Sequence, residues 1–300
     1  MRPERLALYT TMYPGVEPFL PAWQASVATQ TDTRFDLCVG LDALTPDAVA
    51  EAAGGTLDAR WVRGNEGDTP ASIRTAALAL LAERYDAVVL VDSDDVLHPT
   101  RVAAARAALQ TADVAACALS IGDADATDLG LRFGPPDGDA RGILSRYNVF
   151  GLSNSAYRAD VLRACLPVQR DCVLFDWLLA TRAWAAGATM SFDRVPRMTY
   201  RQHGANIAGV MPPYSAAYVL RACALVLDHY ECALHPGWPM PSACRTELEG
   251  ARHTVRRFAA SITASSERLN RYLTALNALD PVFVWWWPIA HPALEELWSN

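Results

Sequence analysis

The chain has 300 residues, 51% of them hydrophobic, and a formal net charge of −7. This length and apolar content suit one large α/β domain, or one domain with an appendage. The negative charge provides no basic footprint for nucleic acid, so we expect no nucleic-acid partner, and it argues against a polybasic membrane anchor.

The 26 basic residues are all arginine, and lysine is absent. This excludes Schiff-base chemistry on a lysine and a phosphate-loop lysine. The seven cysteines include no Cys-x-x-Cys pair, which is typical of free thiols in a reducing compartment. We find neither a signal peptide nor an apolar run of transmembrane length. We therefore expect a cytoplasmic protein that could also contact a membrane peripherally.

Strands and helices alternate through the first hundred residues. The apolar pattern predicts strands over 6–12, 35–41, 57–62 and 86–91. It predicts helices over 18–29, 45–53, 71–84 and 100–110. Such alternation predicts an α/β fold with a parallel sheet flanked by helices.

The remaining chain is less regular. Its 122–142 stretch, rich in Asp and Gly, is expected to be a loop or a lid on the acceptor side. We predict helices over 153–164 and 174–186, and a strand over 190–200 that is broken near Pro196. The 214–230 and 242–279 stretches are expected to be helical, so a C-terminal helical extension begins near residue 212.

An acidic motif follows the most apolar of the predicted strands. The run Val88-Val89-Leu90-Val91 leads directly into Asp92-Ser93-Asp94-Asp95. Ligands bind at the carboxyl ends of strands in open α/β sheets, and crowded carboxylates favour a divalent cation. Oxygen ligands of this kind suit Mn²⁺ or Mg²⁺ bridging to substrate phosphates. The alternative is an Asp-rich cap for the following helix.

Three further segments are expected at the same edge of the sheet. They are the turn Thr11-Met12-Tyr13-Pro14-Gly15 after the first strand, Asp42 after the second, and the loop Gly64-Asn65-Glu66-Gly67. That loop leads into the predicted helix that carries Arg74.

The order and spacing of these segments resemble the nucleotide-binding half of the family 2 glycosyltransferases, which have the GT-A fold. The helix motif Ser26-Val27-Ala28-Thr29-Gln30 also fits the family pattern. In the second half, Leu174-Phe175-Asp176-Trp177-Leu178 is similar to the family's catalytic-base segment. The stretch from Tyr200 to Gly209 resembles its Tyr-Arg-x-His-x-x-Asn-x-x-Gly element. The resemblance covers about residues 5 to 210.

The resemblance implies a role for each matching residue. Thr11, Tyr13 and Asp42 would hold the nucleobase, with Asp42 accepting an imide hydrogen bond from uridine or thymidine. The remaining donor-binding residues would be Asn65, Arg74, Asp92, Ser93 and Arg201, with Arg74 or Arg201 reaching the phosphates. Asp94, His203 and Asp92 would hold the metal, with Asp95 behind them. Asp176 would be the catalytic base.

Each of these roles has a simpler alternative. Tyr13 could be a turn aromatic, Asp42 a loop cap and Arg74 a solvated helix residue. His203 could be purely structural, or its protonated ring could pair with the leaving diphosphate. Asp176 could merely cap a helix. The chain departs from the family at Pro14, where Asn is usual, and at Leu41, which replaces the first of two acids.

The resulting prediction is a GT-A domain over 1–211 and a helical extension over 212–300. The domain divides into a nucleotide-binding half over 1–100 and an acceptor-side half over 101–211. We expect a metal-dependent inverting transferase that uses a nucleoside-diphosphate sugar, with UDP favoured, and an acceptor hydroxyl of unknown kind. The rivals are a sugar nucleotidyltransferase and a catalytically silent binding or scaffold protein.

The Trp285-Trp286-Trp287 run invites a role in stacking on sugars, but we expect it to pack on the extension or on a partner subunit. We expect the extension to form a homodimer rather than to touch a membrane surface.

Overall fold

A computed structural model describes residues 3–135 and 139–299 of the chain. Nine strands in these residues form one sheet: β1 (Leu6–Met12), β2 (Asp36–Leu41), β3 (Arg60–Arg63), β4 (Ala87–Leu90), β5 (Val96–Leu97), β6 (Val114–Gly122), β7 (Asp128–Phe133), β8 (Ser155–Arg158) and β9 (Met190–Arg201).

The helices of the same residues are α1 (Leu20–Ala28), α2 (Pro46–Ala53), α3 (Pro70–Arg84), α4 (Arg101–Ala108), α5 (Ala159–Cys165), α6 (Phe175–Ala185), α7 (Ala216–Ala233), α8 (Ser242–Ala264) and α9 (Ser266–Leu276). Helices α2 and α3 begin as their sequences predict. The Thr45 and Thr69 side chains cap them by accepting hydrogen bonds from Ala48 N and Ser72 N, and each helix has proline in its first turn.

The sheet has a parallel half and a mixed half. Strands β3, β2, β1 and β4 lie side by side in that order, and all three pairings are parallel. Beyond β4 the order continues β8, β6, β9 and β5, with antiparallel pairs and one parallel pair, β6 with β9. The carboxyl ends of β1, β2 and β4 therefore meet at one edge, as expected from the sequence. Both β1 and β4 are buried along their whole length.

Two predicted segments of the second half are wrong in part. The helix expected over 153–164 begins only at Ala159, because Ser155–Arg158 forms β8 between β4 and β6. This pairing buries Ala156 and Tyr157, and such tertiary pairing overrides helix propensity. The 122–142 stretch is not all loop, since β7 pairs with β6 as a hairpin. Residues 136–138 of that stretch lie outside the described residues.

The proline in β9 does not end the strand. Strand β9 continues through Pro196, and its register against β6 shifts between Cys117 and Leu119. Proline has no backbone N–H to donate to a neighbouring strand. At such an irregularity the strand does not need a hydrogen bond from that position. The helical stretch expected over 242–279 is two helices, because Ser265 ends α8 and caps α9 by accepting from Arg268 N.

The C-terminal helices share one hydrophobic core with the sheet domain. The Tyr230 hydroxyl of α7 donates to Ser145 O at 2.9 Å, across the predicted boundary at 211/212. The Tyr272 hydroxyl of α9 donates to Pro288 O at 2.8 Å and accepts from His291 N at 3.0 Å, which holds the segment that follows the tryptophan run. No helix among the described residues has the length and apolar content needed to span a membrane.

Tyr272→Phe is expected to destabilise the protein by about 1–3 kcal/mol. The ring is fully buried, so removal of its hydroxyl leaves the Pro288 carbonyl and the His291 N–H without this partner. Urea unfolding of the variant beside the wild type measures the change in free energy. An unchanged midpoint would show that water replaces the hydroxyl and that this segment is not tightly packed.

Candidate active site

A cleft of about 680 Å³ opens at the carboxyl ends of β1, β2 and β4. Seven of the predicted site residues line it: Thr11, Tyr13, Asp42, Arg74, Asp92, Asp94 and Asp176. The rest of the lining comes mainly from the segment before α6, from the loop after β9, and from Trp285 and Trp286. The structure thus brings most of the predicted residues together, although they come from distant parts of the chain.

Three carboxylates cluster just past the end of β4. Asp92, Asp94 and Asp95 each offer an oxygen, and these oxygens lie within 4.8 Å of one another. Burial, followed by the charge of Asp94, raises the pKa of Asp92 to about 7. The same two causes hold the pKa of Asp95 well above its usual range. The cluster is therefore electrostatically strained in the absence of a cation.

The carboxylate chemistry fits a divalent metal. Asp92 and Asp94 line the cleft, and carboxylate oxygens are the ligands that Mg²⁺ and Mn²⁺ prefer. Asp95 is buried and turned to the protein: it accepts from Arg201 N at 2.8 Å and from the Ser153 hydroxyl. The same hydroxyl oxygen lies 2.9 Å from Asp92 Oδ2, so its single proton is shared between the two carboxylates. Asp95 and Ser153 therefore support the two carboxylates that face the cleft.

His203 lies against this cluster. Its Nε2 is 3.0 Å from Asp94 Oδ2, and its ring packs on Phe19 with the centroids 4.7 Å apart. The ring nitrogen is thus in position to share a metal with Asp94 or to donate to its carboxylate.

Arg201 is buried behind the cluster and does not line the cleft. Its guanidinium donates to Asp94 O at 2.7 Å and to Ala124 O at 2.8 Å, and stacks over Phe19 at 4.8 Å. Through these contacts, Arg201 holds the Asp94 backbone in position.

Two other predicted donor-binding residues also lie off the cleft. Ser93 is buried, and its hydroxyl donates to Thr11 O at 2.8 Å, which ties the turns after β1 and β4 together. Asn65 is exposed, and both its backbone N and its Nδ2 donate to Asp68 Oδ2, at 2.7 and 3.2 Å.

Tyr13 reaches across to the acidic cluster. Its hydroxyl donates to Asp94 Oδ2 at 3.4 Å. Burial, with the charges of Asp94 and Asp92, raises the pKa of Tyr13 far above its usual value. Asp42 lies at the neighbouring strand end, where its backbone N donates to Met12 O at 2.9 Å. Thr11 completes this side, and its Oγ1 is 3.1 Å from the Tyr9 hydroxyl.

Arg74 is one of two arginines among the described residues that line the cleft, the other being Arg170. It sits on α3, and its charge lowers the pKa of both Asp92 and Asp176. Its buried Nε has no hydrogen-bond partner among the described residues. A buried guanidinium N–H without a partner suits an anionic ligand.

Asp176 lies in the first turn of α6, beside the buried Phe175 and Trp177. Burial raises its pKa to about 6, against hydrogen bonds and the charge of Arg74, which lower it. Asn148 Nδ2 donates to Asp176 Oδ2 at 2.9 Å. A carboxylate with this pKa is ionised at neutral pH and still basic enough to accept a proton.

Asn148 and Ser153 are parts of this site that the sequence did not indicate, and the tryptophan run, which was expected to pack rather than to stack on sugars, contributes Trp285 and Trp286 to the cleft lining. Trp285 packs on Phe133, with ring centroids 4.2 Å apart, and Trp286 stacks parallel to Trp177. A Cβ on Gly151 would collide with the Trp285 ring, so this position needs glycine. The tryptophans are buried as expected, but Trp285 and Trp286 pack on aromatic rings of the sheet domain. No local sequence pattern predicts contacts between residues so far apart in the chain.

Comparisons with known proteins agree on the architecture. No protein-family model and no curated protein sequence matches the chain. Residues 1–349 of Staphylococcus aureus TarS, solved with UDP-GlcNAc, are similar at a TM-score of 0.60 and 15% identity, over 91% of this chain and 79% of that one. The mannosyltransferase PcManGT of Pyrobaculum calidifontis, solved with GDP-Man and Mn²⁺, is similar at a TM-score of 0.56 and 17% identity. This likeness covers 93% of this chain and 82% of that one.

These likenesses define the class of fold. The chain has the GT-A fold of the two glycosyltransferases, which confirms the fold expected from the sequence motifs. At these identities the likeness establishes the fold alone.

Proposed function

We propose that this protein is a metal-dependent, inverting glycosyltransferase that moves a sugar from a nucleoside-diphosphate sugar to an acceptor hydroxyl. One observation carries the proposal. A basic carboxylate, Asp176, shares a cleft with the carboxylates Asp92 and Asp94 and with the guanidinium of Arg74. Such a site offers a proton acceptor, a place for a divalent cation and a partner for phosphate.

The nucleoside would lie against Thr11, Tyr13 and Asp42. The Asp42 carboxylate accepts the N–H of an imide, which favours uridine or thymidine over cytidine. The two similar proteins were solved with uridine and guanosine nucleotides, so the fold alone does not select the base. We propose a UDP-sugar as donor.

Asp92, Asp94 and His203 would hold Mn²⁺ or Mg²⁺, while Asp95 and Ser153 keep the two carboxylates in place. Bound there, the metal supplies charge neutralisation for the leaving diphosphate. Arg74 supports the same phosphates, since a guanidinium matches phosphate oxygens. Arg201 holds the Asp94 backbone and acts on the donor only through that residue.

Asp176 would take the proton of the acceptor hydroxyl as its oxygen attacks the anomeric carbon. The bond from that carbon to the diphosphate breaks in the same step, so the configuration inverts. Asn148 holds the carboxylate in one orientation, and the apolar neighbours Phe175 and Trp177 raise its basicity.

Activity is expected to rise with pH through about 6 and to level off above it. Burial raises the pKa of Asp176 to about 6, and only the ionised carboxylate accepts a proton, so protonation at lower pH removes the base. The pH profile of kcat/KM measures this directly. A profile that is flat between pH 5 and pH 8, a range that spans that pKa, would exclude Asp176 as the base.

Asn148→Ala is expected to move this profile to higher pH. Its amide donates to the ionised carboxylate, and a hydrogen bond to a charged group contributes about 1.5 kcal/mol, which corresponds to a rise of about one pH unit in the midpoint. Activity at the plateau should fall less than activity at pH 6. An unchanged midpoint with a lower plateau would show that Asn148 serves packing only.

The proposal is tested by incubating the purified protein with Mn²⁺ and separate UDP-, dTDP- and GDP-sugars. We expect release of free UDP from one or more UDP-sugars, by slow hydrolysis or by transfer to an added acceptor. Proton NMR of the product then gives the anomeric configuration. No nucleotide release from any donor would leave the binding or scaffold protein as the better description.

A further inference from the structure

Aliphatic and aromatic side chains form the cleft wall beside Asp176. The backbone of Trp285 pairs with that of Asn148, whose side chain holds Asp176, so the tryptophan segment and the base are neighbours. Leu152 and Leu174 line the same cleft. The backbone of Trp286 has a φ of +72°, which bulky side chains rarely adopt. Its parallel stack on Trp177 helps to hold it in this conformation.

Two exposed aliphatic side chains extend this wall to solvent. Val173 is 42% exposed and Ile207 is 52% exposed, and both line the cleft. Three other large apolar side chains of the described residues are exposed: Leu129, Val195 and Leu220. None of these three lines the cleft. Single exposed apolar residues are ordinary, but two that continue a buried apolar wall into a ligand cleft form a binding surface.

Two polar side chains of this wall, Arg170 and Asn206, make hydrogen bonds within the protein. The Arg170 guanidinium donates to Gly67 O. Asn206 Nδ2 donates to Arg201 O at 3.2 Å, and Asn206 Oδ1 accepts from His203 N at 2.6 Å. Asn206 therefore has little hydrogen-bonding capacity left for the hydroxyls of a polar acceptor, and Arg170 and Asp171 are the exposed charged side chains of this wall.

Among the residues that the structure describes, the tryptophans of this wall present no open ring face for stacking. Trp285 and Trp286 are only 6% and 3% exposed, so neither presents an open face. The accessible apolar part of the wall, Val173 and Ile207, is aliphatic and branched, which favours contact with a flexible alkyl chain over stacking on a sugar or aromatic ring.

We propose that the acceptor carries its reacting hydroxyl on an aliphatic chain, or on a head group attached to one, and that this chain packs on Val173 and Ile207. The inference rests on the proposed function, since it places the acceptor in the same cleft. It narrows the acceptor from any hydroxyl compound to an amphiphilic one.

The test compares octyl and methyl β-D-glucopyranoside, which share a head group and differ only in the chain. Each is titrated, below the micelle-forming concentration, into protein that holds UDP and Mn²⁺, with ligand-observed NMR as the readout. We expect the octyl compound to bind at least tenfold more tightly, since each buried methylene contributes about fourfold. Equal affinities would overturn the inference.

Matched double variants distinguish binding at this surface from non-specific hydrophobic binding elsewhere on the protein. Val173→Ser with Ile207→Ser should abolish the preference for the octyl chain. Val195→Ser with Leu220→Ser, which changes two exposed aliphatic side chains away from the cleft, should keep it. Equal loss in both doubles would also overturn the inference. Retained UDP binding with no octyl preference contradicts this inference alone, whereas absent UDP binding in the wild type contradicts the proposed function itself.

Discussion

Asp176→Asn is expected to lower the rate of sugar transfer by about 10²–10⁴-fold while leaving UDP affinity almost unchanged. The magnitude is that of losing a positioned general base. Asparagine has the shape of aspartate and can still meet Asn148, but it cannot take a proton from the acceptor. The effect should therefore fall on kcat, because the base acts in the transition state and the nucleotide lies against other residues.

Asp171→Asn is the matched control for this variant. Asp171 lines the same cleft five positions earlier in the chain, but it is exposed. We expect it to keep most of the wild-type activity. Steady-state kinetics and UDP titration on both variants measure the loss of transfer rate and any change in UDP affinity. Equal losses in the two variants, or a loss of UDP affinity in Asp176→Asn, would contradict the role of Asp176 as base.

Asp94→Ala is expected to remove metal activation. Asp94 faces the cleft and is the contact point of both His203 and Tyr13, so its carboxylate is the centre of the acidic cluster. A metal supplies several kcal/mol of charge stabilisation, and each 1.4 kcal/mol is tenfold, so activity should fall by about 100-fold or more. The readout is activity as a function of Mn²⁺ concentration.

The control for this variant is Asp58→Ala, which removes an exposed carboxylate from the loop before β3. It should keep the wild-type response to Mn²⁺. Thermal unfolding of the Asp94→Ala protein checks that the variant is folded. We expect this variant to be at least as stable as the wild type, because the substitution relieves repulsion among the clustered carboxylates. Unaltered Mn²⁺ activation in a folded Asp94→Ala protein would place the metal elsewhere.

The donor half of the cleft was predictable because its signals are local. Val88–Val91 is an unbroken apolar run, and Asp92 follows it directly. The sequence therefore predicts both the buried strand and the carboxylates at its end. Thr69-Pro70 marks the start of α3 by the same kind of short-range rule. The meeting of these elements then follows from parallel strands that end at one edge.

The acceptor half was less predictable because its contacts are distant in sequence. Ser155–Arg158 forms a strand only because β4 and β6 offer edges on both sides. The link from Trp285 to Asn148 joins positions more than a hundred residues apart, and nothing near either residue signals it. His203 could be placed by the family-like motif, but its contact with Asp94 needed the folded chain.

The most direct test of the central claim, that this cleft binds a nucleoside diphosphate through a divalent metal, is a calorimetric titration of UDP into the wild-type protein with and without Mn²⁺. The arrangement of Asp92, Asp94, Arg74 and Asp42 predicts clear binding in the presence of Mn²⁺ and much weaker binding after chelation. Absence of UDP, dTDP and GDP binding under both conditions would contradict the account and leave the carboxylate cluster as a structural feature of a GT-A fold.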